Sequence, residues 1–128
     1  MEITIDDNRT FFDIEQEFKR MFPFLKIEFF TNNNKAPEDS LTSNLIKNKS
    51  NRLAECRKSP GKGIITITPL MTVYNLNKFF NNEYGLSIKV FRNSWLVWLE
   101  ATVTDGWTLE EQNRQGEALS RKNIQNTL

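Results

Sequence analysis

An α+β fold is expected for this chain, because one strand–helix–strand unit occurs in it twice. The clearer copy is IITITPLMTVYNLNKFFNNEYGLSIKVFR, Ile64 to Arg92; the other is MEITIDDNRTFFDIEQEFKRMFPFLKIEFFT, Met1 to Thr31. In each, a short apolar alternation leads into a capped helical stripe and then into a longer alternation. Two such units predict a ferredoxin-like sandwich. Both helices would lie on one face of a mainly antiparallel sheet, with an added C-terminal strand and helix. The alternative is two small lobes in tandem.

Ile3 and Ile5 share one side of a first strand. Thr10 is placed to cap the first helix, with Asp13 at the reciprocal position of a capping box. Phe11, Ile14, Phe18 and Phe22 form its apolar stripe, and Pro23 ends it. Leu25, Ile27 and Phe29 alternate with Lys26, Glu28 and Phe30, which predicts a strand with one buried face. Residues 32–62 break the pattern. NNNKAPEDS and KSPGKG are polar loops, and a short helix over Ser40 to Lys47 and a turn or edge segment over Arg52 to Arg57 are the most the stretch holds. It reads as a connector.

The second copy follows the first closely. Ile65 and Ile67 make its short strand, Thr72 its cap, and Met71 with Leu76 a hydrophobic staple. Val73, Leu76, Phe80 and Tyr84 repeat the spacing of Phe11, Ile14, Phe18 and Phe22. Gly85 replaces Pro23 and suits a left-handed helix end. Leu86, Ile88 and Val90 then alternate. Only this copy continues. Asn93-Ser94 is read as a turn, Trp95 to Val103 as an antiparallel strand, and Asp105-Gly106 as a second turn. Thr108 and Glu111 form the capping box of a third helix. Its stripe is weak (Leu109, Gly116, Leu119), so it is expected to fray after Ser120. The organisation is thus one domain, 1–128, divided as 1–31, 32–62, 63–92 and 93–120.

Strand parity sorts the sheet residues into two faces. The helix-facing side takes Leu25, Ile27, Phe29, Leu86, Ile88, Val90, Val97 and Leu99. The other side takes Lys26, Glu28, Phe30, Ser87, Lys89, Phe91, Leu96, Trp98, Glu100 and Thr102. Aromatic and basic residues on an open sheet face suit a contact surface, and in some small α+β domains such a face stacks single-stranded nucleic acid. Trp95, Trp98 and Trp107 add amphipathic rings of the kind favoured at interfaces. The candidate binding residues are therefore Lys26, Phe30, Lys89, Phe91, Trp95, Trp98 and Trp107.

Composition narrows the chemistry. The chain has no His, which removes the commonest general base and metal ligand and the Ser–His and Cys–His nucleophile pairs. Cys56 is the single cysteine, so it forms no internal disulfide and fits a reducing compartment. Lys and Arg number 17 against 16 Asp and Glu, so no net field draws the protein toward DNA or anionic lipid. The carboxylates Asp6, Asp7, Glu100, Asp105, Glu110 and Glu111 are not spaced as an acid–base or metal pair; Glu110 and Glu111 suit the first turn of a helix. KSPGKG lacks the Walker spacing and its Ser or Thr. No secretory leader is visible, and no apolar run approaches the roughly 20 residues of a membrane span. A cytoplasmic protein with no cofactor is expected.

The stretch GLSIKVFRNSWLVWLEATVTDGWTLEEQN, Gly85 to Asn113, resembles the C-terminal signature of a family of small, uncharacterised bacterial proteins. That signature runs GLxVQVFRKSGxxWLETTxTDxWTLEEQN after a similar capped helix. Here Asn93 stands for a basic residue, Trp95 for Gly and Ala101 for Thr. The resemblance covers the last half of the chain well and the first unit loosely. It implies a shared fold unit and a bacterial cytoplasmic origin, and no activity. The functional expectation is a non-enzymatic interaction or accessory protein that binds a protein partner, or a second copy, through the aromatic sheet face. The alternative is a single-stranded nucleic-acid binder using Phe30, Phe91, Trp98, Lys26 and Lys89.

Overall fold

The structure, a computed structural model, describes residues 2–31, 45–56, 64–101 and 104–127. In chain order the elements are β1 (Ile3–Ile5), α1 (Phe11–Met21), β2 (Leu25–Thr31), a 3-10 turn (Leu53–Cys56), β3 (Ile65–Ile67), α2 (Val73–Tyr84), β4 (Leu86–Ser94), β5 (Val97–Glu100) and α3 (Leu109–Thr127). The fold is α+β, with two antiparallel sheets: β1–β3 and β2–β4–β5. Among the described residues, no helix is long and apolar enough to cross a membrane.

These pairings differ from both arrangements expected. Among the described residues, the strands divide between two sheets rather than forming the one ferredoxin-like sheet, because β1 and β3 pair there only with each other. The two units are not tandem lobes either, since β1–β3 and β2–β4 each join one unit to the other.

Both helices start as the sequence directs. Thr10 Oγ1 accepts from the Asp13 amide and Thr72 Oγ1 from the Asn75 amide, each at 3.1 Å. Gly85 ends α2 at φ 64, a left-handed position that suits glycine. The apolar stripes of α1 and α2 meet the odd-numbered side of β2 and the even-numbered side of β4. Phe29 sits at the centre, with ring centroids 5.0 Å from Phe11 and 5.1 Å from Phe80. Such tilted and edge-on pairs add about 0.5–1.5 kcal/mol to the burial of each ring. The buried Tyr84 hydroxyl donates to Asp7 Oδ1 at 2.9 Å, which satisfies its one polar atom and ties α2 to the opposite unit.

The registers carry a regularity. Thr4 pairs with Thr66 and Glu28 with Lys89, and in both cases the partners occupy equivalent places in the two units. The strands on either side pair reciprocally: Ile3 with Ile67 and Ile5 with Ile65, Ile27 with Val90 and Phe29 with Ile88.

Residues 45–56, read above as part of the connector, are bonded into the core. The Leu53 amide donates to Arg9 O, the Ala54 amide to Asp7 O, and the Phe12 amide to Lys49 O. Around the second helix, the Leu109 amide donates to Met71 O, the Glu110 amide to Pro69 O, and the Tyr74 amide to Asp105 O. The pattern is the same, and Leu53 and Leu109 are both fully buried. Lys49 Nζ lies 2.8 Å from Glu15 Oε2 and further ties the segment to α1. So the first unit also continues past its second strand, into a 3-10 turn that falls within the turn or edge segment expected over Arg52 to Arg57, while the Trp-bearing strand and capped helix belong to the second unit. The expected helix over Ser40 to Lys47 lies mostly outside the described residues, as do the KSPGKG loop, Thr102 and Val103.

The C-terminal additions differ from expectation in detail. α3 runs to Thr127 instead of ending near Ser120. Its buried stripe is Leu109, Gln112, Gly116 and Ser120, with Leu119 half-buried. Polar residues are tolerated there because they are satisfied. Gln112 Nε2 donates to the Thr104 carbonyl at 2.5 Å, and Ser120 Oγ donates to Asn93 Oδ1 at 2.7 Å.

Candidate binding face

β2, β4 and β5 set the geometry of the face turned away from the core. Lys26 on β2 lies opposite Phe91 on β4, and Phe91 opposite Glu100 on β5. The neighbouring pairs are Glu28 with Lys89, Phe30 with Ser87, and Asn93 with Trp98. Directly opposite residues in an antiparallel pair point to the same side, so parity in the sequence places Lys26, Phe30, Lys89, Phe91 and Trp98 on one surface. All five are half-exposed.

The lysines lie over the rings. Lys26 Nζ is 5.2 Å from the Phe91 centroid and 4.9 Å from that of Trp98, and Lys89 Nζ is 5.4 Å from that of Phe30. A third ammonium, Lys19 Nζ at the end of α1, lies 5.5 Å from the Trp98 ring. Lys19 escaped the sequence reading because nothing local shows a helix residue reaching the far side of a sheet end. Carboxylates balance part of this charge. Lys89 Nζ is 2.8 Å from Glu100 Oε1, and Lys26 Nζ is 3.7 Å from Glu28 Oε1. The result is an apolar, polarisable surface with a lattice of paired charge over it.

The other two candidates lie apart from this group. Trp107 sits beneath the Arg92 guanidinium, 5.4 Å from its carbon, beside the start of α3. Trp95 stands in the hairpin between β4 and β5. Ser94 pairs with Val97, so the turn residues are Trp95 and Leu96, not Asn93-Ser94. Trp95 adopts φ 69, the left-handed region that favours glycine. Its surroundings hold it there. Its amide donates to Ser120 Oγ at 3.0 Å and to Asn93 Oδ1 at 3.2 Å. A comparison isolates the strain from the loss of the indole: Trp95→Gly is expected to be about 1 kcal/mol more stable than Trp95→Ala, the reverse of the usual order. Urea unfolding of the two variants measures it, and alanine being the more stable would remove the strain.

Val97 and Leu99 correct another expectation. They share the parity of the core face but are 55% and 40% exposed. The buried alternation of β4 stops at Val90, and β5 pairs with Phe91 to Ser94 beyond it.

The side chains of four carboxylates singled out in the sequence, Asp6, Asp7, Glu100 and Glu111, have partners. Asp6 Oδ1 accepts from the Asn8 amide, and Asp7 and Glu100 are paired as described. Glu111 is held below the usual carboxylate range by the Gln115 side chain first and Arg114 second. Burial pushes the Cys56 thiol above its ordinary value, and Glu55 adds to that, which makes the nucleophilic thiolate scarcer. Among the described residues, no group of three or more His, Cys, Asp or Glu side chains is placed to hold a metal ion.

Comparison with known family models, curated proteins and solved structures finds no match to this chain.

Proposed function

We propose that the protein is a non-enzymatic, cytoplasmic binding module that engages a protein partner through the outer face of the β2–β4–β5 sheet. The observation that carries this is the shared surface of Phe30, Phe91 and Trp98, each with a lysine ammonium over its ring, next to Glu28 and Glu100. Rings supply contact area that loses little side-chain entropy, and a mixed-charge border supplies orientation. A nucleic-acid strand is the less suited occupant. Its phosphates would meet Glu28 and Glu100, and the ring faces it would stack on already carry lysines. The resemblance of Gly85 to Asn113 to small bacterial proteins supports a bacterial setting. We also propose that the two halves are copies of one duplicated unit; the matching hydrogen bonds around Leu53 and Leu109 support this.

Affinity capture from cells of the source organism tests the partner. Phe30→Ser/Phe91→Ser is expected to weaken retention at least tenfold, about 1.4 kcal/mol, while the fold is kept. Equal retention by both proteins would count against this face. Binding of a labelled oligouridylate that drops steeply with salt would replace the protein reading by the nucleic-acid one.

A further inference from the structure

We infer that β5 is a docking edge for an extended acidic segment of a partner protein, which adds to the sheet as a further strand beside Trp98. The inference rests on the protein-partner reading above and names the chemistry of that partner. β5 is the outermost strand of its sheet among the described residues. The Ala101 amide donates inward to Val90 O at 2.9 Å. Backbone direction alternates along a strand, so Leu99 and Val97 also face β4, and Trp98 presents its N–H and C=O outward. An edge of this kind is a template for strand addition.

The side chains on either side of that edge define what fits. On one face, Val97 and Leu99 are exposed apolar groups. On the other, the Lys19 and Lys26 ammonium groups converge over the Trp98 ring, 5.5 and 4.9 Å from its centroid. Glu28 lies 3.7 Å from Lys26 Nζ, and Glu15, itself 2.8 Å from Lys49 Nζ, also feels the Lys26 charge. A docked strand alternates its side chains in the same way. Apolar residues at every second position cover Val97 and Leu99, and a carboxylate between them reaches the two lysines across Trp98. The charge also argues against a second copy of this chain. Antiparallel pairing about a two-fold at Trp98 would bring the two copies' lysine pairs together. A nucleic-acid strand answers the lysines but leaves Val97 and Leu99 uncovered.

The test is a titration of the isotope-labelled full chain with a capped octapeptide alternating valine and glutamate, followed by amide NMR. Shifts are expected at Val97, Trp98 and Leu99 and at the Trp98 indole N–H. Lys19→Glu/Lys26→Glu lies on the surface and should fold normally. It is expected to weaken this peptide at least tenfold and to gain binding of the matching valine–lysine octapeptide. Shifts at Phe30, Phe91 and Lys89 without any at Val97 to Leu99 would overturn the edge and leave the sheet-face reading standing. No shift at millimolar peptide would overturn the edge proposal alone. Perturbation of Trp98 by oligouridylate instead of peptide would overturn both readings. A doubling of mass on concentration, with shifts at Trp98 and no peptide present, would assign the edge to a second copy.

Discussion

Leu53→Ala is expected to destabilise the protein by about 2–5 kcal/mol, the range for removing a fully buried leucine side chain. Leu53 is fully buried although a polar stretch surrounds it, and its amide donates to Arg9 O at 3.0 Å. The same substitution at Leu109, whose amide donates to Met71 O at 2.8 Å, is expected to cost a similar amount. Each leucine closes the core beside the capped end of a helix. Urea denaturation followed by far-UV circular dichroism gives both values. If residues 45–56 only linked the two units, Leu53→Ala would fall within the roughly 0.5 kcal/mol typical of surface sites. That outcome would also remove the correspondence between the two halves.

The same segment shows why part of the fold was hidden in the sequence. The stripes of α1 and α2 are long, strongly periodic and capped by threonines, so local chemistry alone declares them. Residues 45–56 have one buried leucine and a 3-10 turn of four residues, too short for periodicity to register. A trace was present: Arg52-Leu53-Ala54-Glu55 runs parallel to Thr108-Leu109-Glu110-Glu111. The division into two sheets was not legible, because strand pairing is long-range and nothing in three-residue strands names their partner. The face was legible for the opposite reason. Side-chain alternation is a local property, and it put Lys26, Phe30, Lys89, Phe91 and Trp98 together once the register of β2, β4 and β5 held. The turn was misplaced because turn rules look for glycine or asparagine at a left-handed position, and here tryptophan occupies it.

Gly116→Val is expected to destabilise the protein by about 2–4 kcal/mol, although helix propensity alone favours valine over glycine by a few tenths. A Cβ at this position would lie 2.9 Å from the Phe24 carbonyl oxygen and 3.0 Å from Phe24 Cβ. That backbone has little room to retreat. The Phe24 carbonyl accepts from the Asn93 amide at 2.9 Å, and the Phe24 amide donates to Asn113 Oδ1 at 2.8 Å. The added side chain must therefore push α3 outward. Outward movement breaks the contact one turn further on, where Ser120 Oγ accepts from the Trp95 amide and donates to Asn93. Each lost bond costs about 1 kcal/mol beyond the overlap itself. Those bonds hold the left-handed Trp95, and Trp95 sets the turn from which β5 returns with Trp98. Gly116→Val is thus expected to weaken the valine–glutamate octapeptide as well as to lower the urea midpoint, with Gly116→Ala intermediate in both. A midpoint that rose would mean that α3 rests loosely on β2 and β4, and that the hairpin holds its shape without it.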